Sequence, residues 1–197
     1  MLLRWHFRFV RQWQEISRWV FLDETGINLS MTRSHGRGLR GDRVVGHVPK
    51  NWGDSLTLIA GLSAESMLAP VVFRGAMTAI TFAGYLEQAL LPALRPGDHL
   101  VMDNLAAHHD PRVAKLLADA DVIPVFLPPY SPDLNPIELA WAKLKTLVRG
   151  AAPRSVDALL DALLDALASA LARIAGADCS AWARHCGYAL RPWIPRG

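Results

Sequence analysis

Three carboxylates, Asp23, Asp103 and Glu138, are placed along the chain so that one fold could bring them together. Asp23 ends the apolar, β-rich run Trp19-Val20-Phe21-Leu22, and Asp103 ends His99-Leu100-Val101-Met102, so each sits where a buried strand delivers its last residue. In open α/β sheets the working crevice lies beyond the carboxyl ends of the strands. Neighbouring strands would set these two acids side by side, and Glu138, near the start of a packed helix, could complete a cluster. Hard divalent cations prefer oxygen ligands and keep open positions for water and phosphate, so three carboxylates suit Mg2+ or Mn2+. A pair of such ions activates a water or a 3′-hydroxyl and stabilises the leaving oxygen, which is phosphoryl transfer on DNA. Each acid taken singly also has a plainer reading. Glu24 stands beside Asp23 with equal chemistry, Asp103-Asn104 is an ordinary turn pair, and Glu138 falls three residues after Asn135, where a glutamate serves a capping box.

The elements that must position these acids can be read from apolar spacing. Strand-like runs at Leu56–Leu62 and 70–73, separated by a polar turn at 63–66, fit an antiparallel hairpin. Phe82, Tyr85, Leu86, Ala89 and Leu90 recur at helical spacing, and Arg95-Pro96-Gly97-Asp98 closes that segment. A helix over 111–120, a strand over 122–127 and the stiff connector Pro128-Pro129-Tyr130-Ser131-Pro132 follow. Asn135 is expected to cap the next helix, with Pro136 at its first position and an apolar repeat from Ile137 to Val148. A last helix over 155–174 carries the stripe Val156, Leu159, Leu160, Leu163, Leu164, Leu167 and Leu171. A hairpin followed by alternating helices and strands predicts an α/β fold, one mixed sheet covered by helices.

The chain has 197 residues, enough for one well-buried domain, and 51% hydrophobic with 20% charged residues is ordinary for a packed protein. Its net charge of +3 is compatible with a polyanionic partner without demanding one. No run reaches membrane-spanning length and the arginine-studded start lacks a cleavage signal, so the expectation is a cytoplasmic protein with no membrane partner. Cys179 and Cys186, even with His185, match no zinc spacing and are expected to be buried thiols.

Three sequence blocks then resemble the catalytic motifs of DDE-superfamily insertion-sequence transposases of the bacterial branch related to mariner elements. They are Phe21-Leu22-Asp23-Glu24-Thr25, Val101-Met102-Asp103-Asn104-Leu105 with His108, and Leu127-Pro128-Pro129-Tyr130-Ser131-Pro132-Asp133-Leu134-Asn135-Pro136-Ile137-Glu138. Thirty-four residues separate Asp103 from Glu138, the spacing that marks this branch. The resemblance implies an RNase H-like mixed five-stranded sheet flanked by helices over 19–190, preceded by a linker or helix remnant over 1–18 and followed by a tail over 191–197. It also implies that Asp23, not Glu24, is the first catalytic acid, with Asp103 and Glu138 the second and third, together holding two Mg2+ or Mn2+ ions. The implied activity is DNA cleavage and strand transfer at element terminal inverted repeats, usually into a TA target, by a homodimer that associates with the nucleoid when bound to DNA. Where the family has Lys after the histidine of the second block, this chain has His109. Such transposases also carry helix-turn-helix units ahead of the catalytic domain, whereas about twenty residues precede the first strand here, so end recognition is expected from a separate chain. Two other readings stay open: a truncated regulatory relic and a host nuclease of the same fold.

The supporting cations follow from charge. Arg33, Arg37, Arg40, Arg43 and Lys50, against the single acid Asp42, suit a loop or loose hairpin that contacts DNA phosphates. Lys143 and Lys145, with Arg149, lie beyond Glu138 and could line the same groove. Trp52 could stack on bases, whereas Trp141 is read as core. Asp157, Asp161 and Asp165 are read as a solvated helix face. Residues 4–19 suit a short amphipathic helix.

Overall fold

Val20 and Leu22 pack to one side of their strand and Trp19 and Phe21 to the other, and all four are buried. A strand apolar on both faces belongs in the middle of a covered sheet. The computed structural model describes residues 4, 6, 7, 16–31, 35–47, 55–173 and 176–189. In it this strand, β1 (Trp19–Ile27), is the centre of a five-stranded sheet of order β3-β2-β1-β4-β5. β2 (Leu56–Leu62) and β3 (Met67–Arg74) form the expected antiparallel hairpin, with β2 antiparallel to β1. β4 (His99–Met102) and β5 (Ile123–Phe126) run parallel to β1 on its other side. The expected mixed five-stranded sheet is therefore what the chain forms.

Helices cover both faces. Trp19, Phe21, Leu58, Ala60 and Val101 pack against α3 (Ile137–Ala151), α4 (Val156–Arg173) and α5 (Gly176–His185). Val20, Leu22, Ile59, Leu100 and Met102 pack against α1 (Ala79–Tyr85) and α2 (Pro111–Asp119). Burying each large apolar side chain contributes roughly 1.5–3 kcal/mol, so these two cores fix the sheet rigidly between helical layers. At Gly61, beside a register shift in the β2–β3 pairing, an added Cβ would stand 2.7 Å from Val20 Cγ1, so only glycine lets the layers close there.

Some sequence expectations change. The segment from Phe82 to Leu90 is not one α-helix: after Tyr85 it widens into a π-helical turn over Leu86–Leu90 and ends in a 3-10 turn over Leu91–Ala93. Pro92 has no N–H to donate back into the helix, which disrupts the regular ladder at that point. Asn135 is extended and Pro136 helical, as expected at a helix start, yet the Asn135 side chain makes no capping bond. On α4, Leu159, Leu163 and Leu167 are buried as expected, Leu164 is half exposed, and Asp157, Asp161 and Asp165 face solvent, with Asp157 paired to Arg74 at 2.8 Å. Cys179 and Cys186 are buried, as expected. No helix among the described residues is long and apolar enough to cross a membrane. Of the 4–19 stretch, Arg4, His6, Phe7 and 16–19 are described, the first three in helical conformation.

Candidate active site at the carboxyl edge of β1 and β4

β1 and β4 pair in parallel with a constant register, Trp19 beside His99, Val20 beside Leu100 and Phe21 beside Val101. Asp103 follows the last residue of β4 directly, so this register brings it to the same end of the sheet as Asp23. Alternation along β1 then decides which acid works. Residues 19 and 21 face α3, so Asp23 faces α3 as well, whereas Glu24 turns to the α1 side of the sheet. The α3 helix crosses this edge with Trp141 buried at 1% exposure, and its indole Nε1 donates to Asp23 Oδ2 at 3.0 Å. Glu138, three residues earlier on α3, is one turn away on the same side. Asp23, Asp103 and Glu138 all line one cavity of about 440 Å3, closed on its far wall by the connector Leu127–Pro132 and by Asn135.

The connector is held from several directions. Asn104 Nδ2 donates to the carbonyl of Leu127, and Arg4 bridges the Tyr130 carbonyl at 3.0 Å and the Asp133 carboxylate at 2.6 Å. Tyr188, beyond α5, packs on Trp19 and Phe21 and donates its hydroxyl to the Leu134 carbonyl at 2.6 Å. The arrival point of α3, and with it of Glu138, is set by these contacts.

Electrostatically the acids differ. The Asp23 carboxyl is pushed up to about 7 by burial, then by Glu138 and Glu24, against which the Trp141 hydrogen bond works. Burial also acts upward on Asp103, but hydrogen bonds from His108 and from the Leu105 N–H outweigh it and hold Asp103 below the ordinary value. His108, 3% exposed, lies with Nδ1 3.0 Å from Asp103 Oδ1 and Nε2 3.7 Å from Glu24 Oε2. Burial pulls this imidazole down, yet the Asp103 and Glu24 carboxylates beside it raise it to about 9. Trp141, His108 and Glu24 are the functional neighbours that sequence reasoning missed as such. Alternation after Phe21 puts Glu24 and Asp23 on opposite faces, but which face carries the site depends on where α3 packs.

The donor set fits a divalent cation: three oxygen-bearing acids around an open cavity, with the buried Asn135 side-chain oxygen unpartnered at its wall. Among the described residues no three His, Cys, Asp or Glu side chains are already drawn onto a common point. The acids share a cavity without the tight convergence expected of ions about 4 Å apart. Of the expected DNA-contacting cations, Arg37, Arg40 and Arg43 are exposed in an irregular segment and Arg33 and Lys50 lie outside the described residues, as does Trp52. Neither Lys143 nor Lys145 lines the cavity. Lys143 instead pairs with Asp178 of α5 at 3.5 Å, its ammonium 5.8 Å from the Trp182 ring centroid, because its position on α3 faces α5.

Replacing Trp141 by Phe removes the donor to Asp23 and leaves a void beside it. We expect a loss of about 2–4 kcal/mol in urea unfolding. An unchanged midpoint would mean that the indole neither packs nor bonds as described.

A comparison with curated proteins gives no match. Solved structures of Mos1 mariner transposase share the fold. A Mos1 strand transfer complex superposes with TM-score 0.69 at 17% identity, covering 87% of this chain and 52% of that one. A pre-cleavage Mos1 transpososome gives 0.69 at 14% identity, covering 94% and 56%. The Mos1 catalytic domain with raltegravir and Mg gives 0.64 at 15% identity, covering 94% and 85%. The chain thus spans about half the length of the Mos1 chains in the DNA complexes, and its mixed sheet is the RNase H-like arrangement found there. Residues 18–160 match the family described as DDE superfamily endonuclease. That match takes in Asp23, Asp103 and Glu138 with the strands and helix that carry them, and the chain belongs to the DDE superfamily endonucleases.

Proposed function

We propose that this chain is the catalytic domain of a DNA transposase, cleaving DNA strands and transferring the freed ends. The observation that carries this reading is the single cavity lined by Asp23 of β1, by Asp103 just beyond β4, and by Glu138 of α3. These three residues are the metal ligands, and two Mg2+ or Mn2+ ions are the fitting cofactors. When bound, the ions polarise the phosphodiester and lower the pKa of an attacking water or 3′-hydroxyl. Everything else falls to the chain. Trp141 orients Asp23, His108 holds one oxygen of Asp103, and the proline-rich connector shapes a wall against which a DNA strand can lie. Mos1 structures titled with Mg and with Mn give the same cofactor class for a fold relative. Exposed Arg37, Arg40 and Arg43, with Arg33 and Lys50, contact DNA phosphates in this reading.

The partners in this reading are element terminal inverted repeats, a target such as TA and a second copy of the chain. A cytoplasmic, nucleoid-associated location follows from that role. The test is strand cleavage by the purified chain on duplexes with and without element ends, resolved on denaturing gels. Metal-dependent nicks at the repeats, abolished by chelator, support the transposase. Cutting of any duplex would point to a host nuclease, and binding without cutting to a regulatory partner.

A further inference from the structure

Glu24 poses a question that the catalytic set leaves open. It follows Asp23 directly on β1, points through the opposite face of the sheet and does not line the cavity, yet it is largely buried. Its Oε2 is shielded from solvent without a hydrogen bond, and so is His108 Nε2, which lies 3.7 Å away. A buried carboxylate is unfavourable unless a cation or donor faces it, and the imidazole is the group that faces this one. The ring cannot drift. Phe82 packs against it at 4.3 Å between centroids, and on its other side Nδ1 meets both Asp103 Oδ1, at 3.0 Å, and the Asp103 carbonyl, at 3.1 Å. The ring therefore stands between the Asp103 and Glu24 carboxylates.

We propose that Glu24 and His108 are positioning residues that lock the Asp103 carboxylate, leaving its second oxygen free to take the metal. Oδ1 is doubly held, by His108 and by the Leu105 N–H at 3.1 Å, whereas Oδ2 carries no hydrogen bond among the described residues. β1 therefore acts on both acids: Asp23 enters the cavity directly, and the next residue reaches through His108 to set Asp103. A histidine pinned between two carboxylates does for Asp103 what an outer hydrogen-bond partner does for a ligand in metal sites generally, where its loss weakens metal affinity by ~10–100-fold. The inference rests on reading Asp103 as a metal ligand.

The experiment is Mn2+ titration of the purified chain, followed by electron paramagnetic resonance and by calorimetry, with melting temperatures recorded alongside. Glu24→Gln and His108→Gln weaken Mn2+ binding about tenfold while melting stays within a few degrees of wild type. A merely structural role would lower melting and leave Mn2+ binding per folded molecule unchanged, and that result overturns the proposal. So does wild-type Mn2+ binding by Glu24→Gln, the variant that keeps side-chain size and thus carries the test if His108→Gln folds poorly. Asp103→Asn separates the two levels. If it binds Mn2+ as wild type, the metal-ligand reading itself fails; if it loses Mn2+ while Glu24→Gln and His108→Gln bind normally, only the positioning role fails.

Discussion

Asp103→Asn and Glu138→Gln each reduce metal-dependent DNA cleavage by ~10^3-fold or more, with the fold and DNA affinity retained. The size follows from what is removed. A carboxylate that fixes an ion on the reacting phosphate supplies several kcal/mol of charge stabilisation, and each 1.36 kcal/mol is tenfold in rate. Folding is spared because both changes preserve shape and the Asp103 side chain is 44% exposed, so little packing is lost. Strand cleavage assays beside circular dichroism and gel shifts provide the check. Cleavage within tenfold of wild type in either variant would remove the three-acid site as the seat of chemistry.

Asp23 makes the opposite kind of prediction, a gain in stability from breaking the site. Its carboxyl is raised from an ordinary 3.8 to about 7 by burial, Glu138 and Glu24. A raised carboxylate is protonated in the folded state while the unfolded chain already ionises. Its contribution is therefore fully present below about pH 4, declines as pH climbs, and is gone above pH 7. In chelator at pH 8 the ionised group opposes folding by roughly 2–4 kcal/mol. Asp23→Asn keeps an oxygen for the Trp141 indole and sheds the charge, so its melting temperature rises by about 5 °C at pH 8 and hardly at all at pH 4. Added Mg2+ or Mn2+ raises the wild-type melting temperature and leaves Asp23→Asn nearly unmoved. A drop in stability at pH 8 in chelator would show that repulsion within the acid cluster is not what burdens the fold.

The elements were readable wherever a pattern was local. Short apolar runs before Asp23 and Asp103 marked β1 and β4, and the leucine repeat marked α4, because period and burial go together within a segment. However, β1 does not end at Asp23 as expected and continues to Ile27, held by its pairing with β2. What escaped depended on partners far along the chain. The choice between Asp23 and Glu24 turns on which sheet face α3 covers, a fact about residue 141 rather than residue 23. Only the motif resemblance separated them in advance. His108 looked like a loose histidine until packing under Phe82 and the reach to Glu24 were visible. Lys143 shares a helix with Glu138 but points at Asp178, a matter of helical rotation that charge counting cannot supply. Asn135 carries every sign of a cap, yet its side-chain oxygen is left to the cavity wall because the preceding connector, tied down by Arg4 and Tyr188, dictates how it enters the helix.

The parallel pairing of β1 with β4 has a consequence in time as well as in space. Its two strands are separated by a hairpin and a helix, and pairings so distant in sequence form late, after the loops between them have closed. During synthesis, residue 23 emerges long before residue 103, and residue 138 later still. A half-made chain thus holds one isolated acid on a strand whose neighbour does not yet exist, and it has no cutting power at all. Because the three carboxylates are dispersed over 23, 103 and 138, the cluster exists only once the fold is complete.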